Sequence, residues 1–105
     1  MVIPREKCEG IEQKTYTKWL DYDKINELTV RTKMAGDYIV INKKGGRKNL
    51  KKFFVDSKIP KETRDNILLL VDGSEIVWIV GYRISEKYKV TKETKNILKI
   101  IYNKE

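Results

Sequence analysis

The residues best able to do chemistry in this sequence are cations, and they are concentrated in one segment, "KKGGRKNLKKFFVDSKIPKETRD", residues 43–65. Between Lys43 and Arg64 the acidic residues are Asp56 and Glu62. A phosphate-binding surface needs several cations within about 10 Å, the Debye length at 0.1 M salt. It also needs a backbone that can approach closely, which Gly45 and Gly46 permit. The segment therefore predicts contact with a nucleic-acid backbone through Lys43, Lys44, Arg47, Lys48, Lys51, Lys52, Lys58, Lys61 and Arg64.

The same lysines also allow a structural interpretation, because lysine is common on the solvent-facing side of amphipathic helices. Leu50, Phe53 and Phe54 share one helical face by their spacing, and with Trp78 they are expected in the core. Four aromatic residues that have charged neighbours are expected to be partly exposed: Tyr16, Trp19, Tyr82 and Tyr88. This distribution favours recognition of the backbone or shape of a duplex over stacking of single-stranded bases.

The sequence gives little support for a catalytic site. The chain contains no histidine, which excludes Ser-His-Asp and Cys-His arrangements and the usual zinc sites. The stretch "GGRKN" lacks the G-x-x-x-x-G-K-[ST] spacing of a phosphate-binding loop. The aspartates that could gather around magnesium have ordinary roles in turns and at helix ends: Asp37, Asp56, Asp65 and Asp72. We therefore predict no catalytic residue and no metal site, and do not expect this chain alone to be an enzyme.

Composition limits the class of protein further. The 105 residues suffice for one domain, and 23 basic against 15 acidic residues give a net charge of +8, which favours a polyanionic partner. The single cysteine, Cys8, excludes an internal disulfide and suits a reducing compartment. The two strongest apolar runs, "ILLLV" and "IVWIV", are far shorter than the ~20 residues that span a bilayer. We expect a cytoplasmic protein without a signal peptide or membrane contact.

The elements that must position these residues can be predicted from periodicity. Residues 1–14 are expected to be a tail or linker, and residues 15–105 a folded domain. Strands are predicted in "KTYTKWLDY", in "LTVRTKM" and, after a Gly36-Asp37 turn, over residues 38–41. In "LTVRTKM" the alternation predicts an inner face of Leu28, Val30 and Thr32 and an outer face of Thr29, Arg31 and Lys33.

Helical spacing begins at Lys48 after a loop, "NKKGGR", and it ends at Ser57 and Lys58. Pro60 predicts the first turn of a second short helix. "ILLLV" and "EIVWIV" predict a hairpin joined by "DGSE", covered on one face by a second sheet and on the other by helices. "GYRISEKYKV" is expected to be extended, "TKETKN" a capped turn and "ILKIIY" a last strand. The fold class is mainly β with two short helices, a β-rich α+β domain.

Three stretches in order, "VRTKMAGDYIVI", "KNLKKFFVDSKIPKETRD" and "ILLLVDGSEIVWIVGYRISEKYKVTKETKNIL", resemble the C-terminal domain of bacterial tRNA(Ile)-lysidine synthases. The resemblance covers residues from about 16 to 102. It implies a small β-sandwich-like domain, similar to a module of the phenylalanyl-tRNA synthetase β subunit.

The resemblance also implies a function. The full enzyme uses ATP, with Mg²⁺, to adenylate the wobble cytidine of the CAU anticodon in tRNA(Ile), and then attaches lysine there. That chemistry belongs to an N-terminal domain with an S-G-G-x-D-S loop, which this sequence does not contain. The present domain is expected to hold no cofactor and to bind the acceptor region of the tRNA. Its expected partners are this tRNA and the N-terminal catalytic domain, and a homodimer is left open.

The motifs of the family correspond in this sequence to Arg31, Gly36, Asp37, Lys48, Lys51, Lys58, Arg64 and Arg83. The resemblance implies phosphate contacts for Lys48, Lys51, Lys58 and Arg64. Arg31 and Arg83 join the predicted RNA-binding set, either at a groove of the RNA or in structural ion pairs, with Asp56 and Asp65 as candidate partners of the cations. Two alternatives stay open: a structural, dimerisation or interdomain module of the same enzyme, and a free-standing small RNA-binding protein.

Overall fold

Nine strands and two short helices follow one another in the computed structural model, which describes residues 2–4, 6 and 16–102. The strands are β1 (Val2–Pro4), β2 (Thr17–Asp21), β3 (Leu28–Arg31), β4 (Tyr38–Val40), β5 (Arg47–Asn49), β6 (Leu69–Asp72), β7 (Glu75–Ile79), β8 (Arg83–Ile84) and β9 (Asn96–Ile101). The helices are α1 (Leu50–Asp56) and α2 (Lys61–Arg64), and single 3-10 turns span Tyr22–Lys24 and Glu86–Tyr88. The predicted class, mainly β with two short helices, is confirmed.

The strands form two sheets. The smaller sheet has the order β1-β9-β2 and is antiparallel throughout. The larger sheet has the order β3-β6-β7-β4-β5, with β8 also paired to β7. Its β4–β7 pair is parallel and its other pairs are antiparallel. The β4–β5 hairpin therefore lies at one edge of the larger sheet, and β3 lies at the opposite edge.

The predicted β6–β7 hairpin is present, and both of its faces are covered. Leu69 on one face packs in a core with Leu50 and Phe54 of α1. Leu70 and Trp78 on the other face pack in a second core, which includes residues of the smaller sheet. The expected arrangement, with helices on one face and a second sheet on the other, is thus confirmed.

Helix α1 begins two residues later than periodicity predicted. Lys48 belongs to β5, where it pairs with Ile39, and Asn49 caps the helix by accepting a hydrogen bond from the Lys51 N–H at 2.8 Å. The expected helix start at Lys48 is therefore wrong, because a polar strand that pairs with one neighbour carries no hydrophobic alternation. The helix ends as predicted near Lys58, which has a left-handed φ of 56°.

Strand β3 differs from its prediction in which side chains are buried. Val30 was expected on the inner face, but it is 61% exposed and belongs to neither core. The reason is that β3 is an edge strand, beyond the reach of the layers that cover β6 and β7. The alternation of side chains could predict that Val30 lies on the same side of β3 as Leu28. It could not predict that no layer covers Val30.

The N-terminal segment also departs from expectation where it is described. Residues 1–14 were expected to be a tail or linker, yet Val2–Pro4 forms β1 and pairs with β9 of the smaller sheet. Three residues without sustained alternation are too few to be recognised as a strand from sequence. Residues 1, 5 and 7–15, with Cys8 among them, lie outside the described residues.

Two further expectations concern residues 81–102. The segment 81–90 was expected to be extended, but only Arg83–Ile84 is a strand, and a 3-10 turn at Glu86–Tyr88 follows it. That turn carries the Tyr88 ring inward, so Tyr88 is fully buried and the prediction of partial exposure is wrong. The capped turn is present, since the Thr91 N–H donates to the Thr94 hydroxyl at 2.9 Å. The last strand is β9.

Candidate nucleic-acid interface

The β4–β5 hairpin divides the predicted basic segment between two grooves. The helix groove, of about 620 Å³, is lined by residues 33–37, 49–51 and 54 together with Lys61, Arg64 and Asp65. The loop groove, of about 900 Å³, is lined by Lys24, Val40, Asn42, Lys43, Gly45, Arg47, Glu75 and residues 86–87 and 89–93. Register explains the division, because Tyr38 faces Asn49 at one end of the hairpin and Val40 faces Arg47 at the other.

The two helices present four exposed lysines, which we call the helix surface: Lys51, Lys52, Lys58 and Lys61. The exposure of Lys51 and Lys52 follows from α1, whose buried positions are Leu50, Phe53 and Phe54. Lys58 lies in the connection between the helices, and Lys61 is the first residue of α2. Within residues 16–102 none of the four side chains has an ion pair or a side-chain hydrogen bond. The charge of Lys52 also helps to lower the pKa of Asp56, after the Lys48 hydrogen bond, so Asp56 offsets part of it. Lys51, Lys58 and Lys61 have no such carboxylate partner in the described part of the chain.

Two other predicted phosphate contacts are engaged within the domain. The Lys48 ammonium lies 2.6 Å from a carboxylate oxygen of Asp56, the last residue of α1. The Arg64 Nε donates to the Ile59 carbonyl at 2.9 Å, and its guanidinium lies 5.9 Å from the centre of the Phe54 ring. The Lys48–Asp56 contact joins the end of α1 to β5, and the Arg64 contacts join α2 to α1 and to the connection between the helices. A phosphate-binding role for either side chain stays a prediction.

Arg31 and Arg83 also make intramolecular contacts, and an RNA-binding role for either stays a prediction. Arg31 donates to both carboxylate oxygens of Asp37, at 2.9 and 2.8 Å, and the Met34 N–H donates to the same carboxylate at 2.8 Å. Burial alone would raise the pKa of Asp37, but the hydrogen bonds from Arg31 and Met34 outweigh it and lower that pKa. The Arg83 guanidinium donates to the Ile41 carbonyl at 2.9 Å.

The candidate partners Asp56 and Asp65 hold lysines rather than these arginines. Asp56 pairs with Lys48, and Asp65 lies 3.1 Å from the ammonium of Lys33 in an exposed pair. The Lys48 hydrogen bond is the main reason why the pKa of Asp56 is lowered. The sequence thus predicted that these aspartates hold cations, but it did not predict which ones.

The loop between β4 and β5 is fixed by one asparagine. The Asn42 side-chain oxygen accepts hydrogen bonds from the Lys44 N–H at 3.0 Å and from the Gly46 N–H at 2.9 Å. Gly45 adopts a φ of 86°, which glycine allows without strain. The loop therefore presents the exposed side chains of Lys43 and Lys44 from a defined backbone.

Arg47 follows this loop, and its guanidinium is stacked on an aromatic ring. Its central carbon lies 4.4 Å from the centre of the Tyr38 ring on the neighbouring strand. Such stacking restricts the side chain while its N–H donors stay accessible, and it is a common environment for arginines that bind phosphate.

Sequence reasoning missed five lysines that line the two grooves: Lys24, Lys33, Lys87, Lys89 and Lys92. All five lie outside residues 43–65, and the predicted interface was based on the high density of cations in that segment. Lys87 and Lys89 form ion pairs within the loop groove. The Lys87 ammonium lies 2.8 Å from a carboxylate oxygen of Glu75, and the Lys89 ammonium lies 2.6 Å from one of Glu86. The closely spaced lysines of "SEKYKVTKETK" were the available signal.

Buried Tyr88 anchors one wall of the loop groove. Its hydroxyl lies 3.2 Å from an oxygen of Asp72 and 3.3 Å from an oxygen of Glu75, and it donates to this carboxylate pair. Burial, followed by the charges of Glu75 and Asp72, raises the pKa of Tyr88. Asp72 also accepts the backbone N–H groups of Asn26 and Glu27. The network holds residues 86–89 against the β6–β7 hairpin.

The described residues contain neither a grouped set of metal ligands nor a membrane-spanning helix. In 2–4, 6 and 16–102, no three histidine, cysteine, aspartate or glutamate side chains are grouped so that they could hold a metal ion. No helix of the described part is long and apolar enough to cross a membrane.

These features define a small β-rich α+β domain with a basic surface around one edge hairpin. The chain belongs to the TilS substrate C-terminal domain family, whose model matches residues 28–101. It is 46% identical, over 99% of its length, to the tRNA(Ile)-lysidine synthase of Caldanaerobacter subterraneus subsp. tengcongensis, and 52% identical, over 81%, to that of Clostridium tetani. The chain covers only 22% and 18% of these two relatives, about a fifth of their length. The family expected from the three motif stretches is confirmed.

A solved structure agrees with this assignment. A crystal structure of a TilS C-terminal domain superposes with a TM-score of 0.69 at 24% sequence identity, over 98% of this chain and 85% of that chain. This likeness confirms the fold. The expected relation to a module of the phenylalanyl-tRNA synthetase β subunit stays a prediction.

Proposed function

We propose that this chain is the tRNA-binding module of a tRNA(Ile)-lysidine synthase and that it engages the acceptor region of tRNA(Ile) through the helix surface. The observation that carries the proposal is the helix surface, whose four exposed lysines form no ion pair within residues 16–102. Only Lys52 is partly offset, by the nearby charge of Asp56. Unpaired cations on one surface release counterions from a nucleic-acid backbone when they bind it, and this supplies affinity independent of sequence.

The position of the aromatic residues supports backbone recognition. Phe53, Phe54 and Trp78 are buried, as predicted, and buried Tyr88 is also unable to stack on a base. Stacking on single-stranded bases needs exposed rings beside the cations. The helix surface has lysines without such rings, which suits the phosphates of a duplex such as an acceptor stem.

The role of the module in the enzyme would be to position the tRNA. The relatives are about five times as long as this chain, and in our proposal the ATP-dependent, Mg²⁺-dependent attachment of lysine to the wobble cytidine belongs to the rest of the enzyme. A module that binds the acceptor region raises the effective concentration of the anticodon at a tethered active site. In this proposal the chain contributes binding energy and no catalytic group.

The proposal is tested by titrating the chain at several salt concentrations with tRNA(Ile) bearing a CAU anticodon, an acceptor-stem minihelix and an unrelated duplex RNA. We expect tRNA(Ile) and its minihelix to bind more tightly than the unrelated duplex. The double variant Lys51→Gln, Lys61→Gln should lower the slope of log K against log salt by about two units, about one for each lost phosphate contact.

Lys99→Gln is the matched control, because Lys99 lies on β9 in the smaller sheet, on the other side of the larger sheet from α1. It should leave the slope within about half a unit of the unsubstituted chain, since it removes no phosphate contact. Equal binding to all three RNAs, or none, would overturn the proposal and favour the structural or interdomain role. An unchanged slope in the double variant would show that the helix surface is not the contact.

A further inference from the structure

We propose that the loop groove is a second contact for the RNA backbone, so that one RNA is bound at both ends of the β4–β5 hairpin. This inference rests on the proposed function and deepens it. The helix surface lies at one end of the hairpin, and Lys43, Arg47 and Lys92 lie in the groove at the other end.

The distance between the two sites fits a single duplex. Asp37 lines the helix groove and Asn42 lines the loop groove, with β4 extended between them. Five residues at about 3.3 Å each span roughly 16 Å. A nucleic-acid duplex carries one charge for about 1.7 Å of axis, so this span presents on the order of nine phosphates. One RNA helix is therefore long enough to reach both grooves.

The charges of the loop groove leave a positive excess after internal pairing. Three lysines of the lining have ion pairs: Lys24 with Asp21, Lys87 with Glu75, and Lys89 with Glu86. Lys43, Arg47 and Lys92 have no carboxylate partner among residues 16–102, whereas Glu93 is an unpaired acidic residue of the lining. Three unpaired cations against one carboxylate favour an anionic ligand.

Arg47 gives the site a preorganised donor. Its guanidinium is held 4.4 Å from the centre of the Tyr38 ring, and the planar fork of N–H groups matches two oxygens of one phosphate. The loop amides are already used, since Asn42 accepts the N–H groups of Lys44 and Gly46. The ligand is therefore recognised by side chains, which suits a phosphodiester backbone that passes over the groove.

Continuity with the helix surface favours RNA over an acidic protein. Strand β5 is the edge of the larger sheet, and it runs from Arg47 at the loop groove to Asn49 at the helix groove. A polymer with evenly spaced charges can follow this edge from one groove to the other. An acidic peptide would need carboxylates that match two separate clusters.

The test uses the 105-residue chain and the acceptor-stem minihelix, titrated at several salt concentrations with stoichiometry from calorimetry. The double variant Arg47→Gln, Lys92→Gln should weaken binding at least about tenfold at 0.1 M salt and lower the salt slope by about two units. Glu93→Gln, in the same groove, should strengthen binding because it removes a negative charge beside the phosphates. Binding should stay at one RNA for each chain.

The outcomes separate this inference from the proposed function. If Arg47→Gln, Lys92→Gln binds like the unsubstituted chain while Lys51→Gln, Lys61→Gln is weakened, the loop groove is not a contact and the proposed function stands. If the loss occurs only in Arg47→Gln, Lys92→Gln, the two-site arrangement is wrong. Polyglutamate that displaces the RNA equally well at the same charge concentration would overturn the assignment of RNA as the ligand.

Discussion

Replacing Asp37 by asparagine should destabilise the domain far more than the same change at Asp65. Asp37 is 2% exposed and accepts two hydrogen bonds from Arg31 and one from the Met34 N–H. Asparagine keeps the size of the side chain but removes its charge, so the half-buried guanidinium loses its counter-ion. Asp65 also forms an ion pair, with Lys33, but both of those side chains are largely exposed.

The magnitude follows from the burial of the two partners. Removing one member of a fully buried pair costs about 3–5 kcal/mol, because the other charge stays uncompensated. The Arg31 side chain is 20% exposed, so water compensates part of this loss, and we expect about 2–3 kcal/mol for Asp37→Asn. At about 4–8 °C for each kcal/mol, Tm should fall by roughly 10–20 °C. Asp65→Asn should cost less than about 0.5 kcal/mol.

Urea denaturation and thermal unfolding of both variants, measured from pH 7 to pH 3, provide the assay. The folded-state pKa of Asp37 is lowered relative to its unfolded value of about 3.9. The contribution of the pair is therefore complete above about pH 5, and it is lost as the pH falls through the folded-state pKa. The deficit of Asp37→Asn should shrink below pH 4. If Asp37→Asn costs no more than Asp65→Asn at pH 7, the Arg31–Asp37 pair does not stabilise the fold.

Two further changes test the core and the wall of the loop groove. Trp78→Ala should cost about 3–5 kcal/mol in urea unfolding, because Trp78 is 1% exposed and its loss leaves a cavity. Trp78→Phe should cost clearly less, since the buried indole N–H has no hydrogen-bond partner among the described residues. Equal stability of Trp78→Ala and the unsubstituted chain would contradict the core assignment. Tyr88→Phe should cost about 1 kcal/mol at pH 7, because it removes the hydroxyl that donates to Asp72 and Glu75. The pKa of Tyr88 is raised, so its contribution is complete below about pH 10 and is lost above it. Tyr88→Phe should accordingly lose less stability between pH 9 and pH 11 than the unsubstituted chain, and an identical loss would show that Tyr88 does not titrate in this way.

The parts of the fold that sequence predicted are those with strong local signals. The β6–β7 hairpin was predicted because two continuous apolar runs flank a turn, and such runs require cover on both faces. Helix α1 was predicted because Leu50, Phe53 and Phe54 recur at helical spacing. In both cases the side chains that define the pattern are also the ones that fill the core.

The parts that sequence did not predict depend on distant partners. Strand β5 is the polar stretch Arg47–Asn49, and it is a strand only because β4 lies beside it. The parallel pairing of β4 with β7 joins segments more than thirty residues apart, and no local pattern reports it. Because β5 was missed, the division of the basic segment between two grooves was missed as well.

In the candidate site, sequence likewise could not predict which cations are paired within the domain. Composition counts Lys48 and Arg64 with the other cations of the segment, but folding commits Lys48 to Asp56 and Arg64 to the Ile59 carbonyl. Substituting either one would disturb the ends of the helices, and affinity could fall without any lost phosphate contact. Substituting exposed Lys51 or Lys61 removes a charge that the described part of the chain does not neutralise. The salt slope is therefore the decisive observable, because it counts the ionic contacts with RNA and is insensitive to a contact that acts only within the domain.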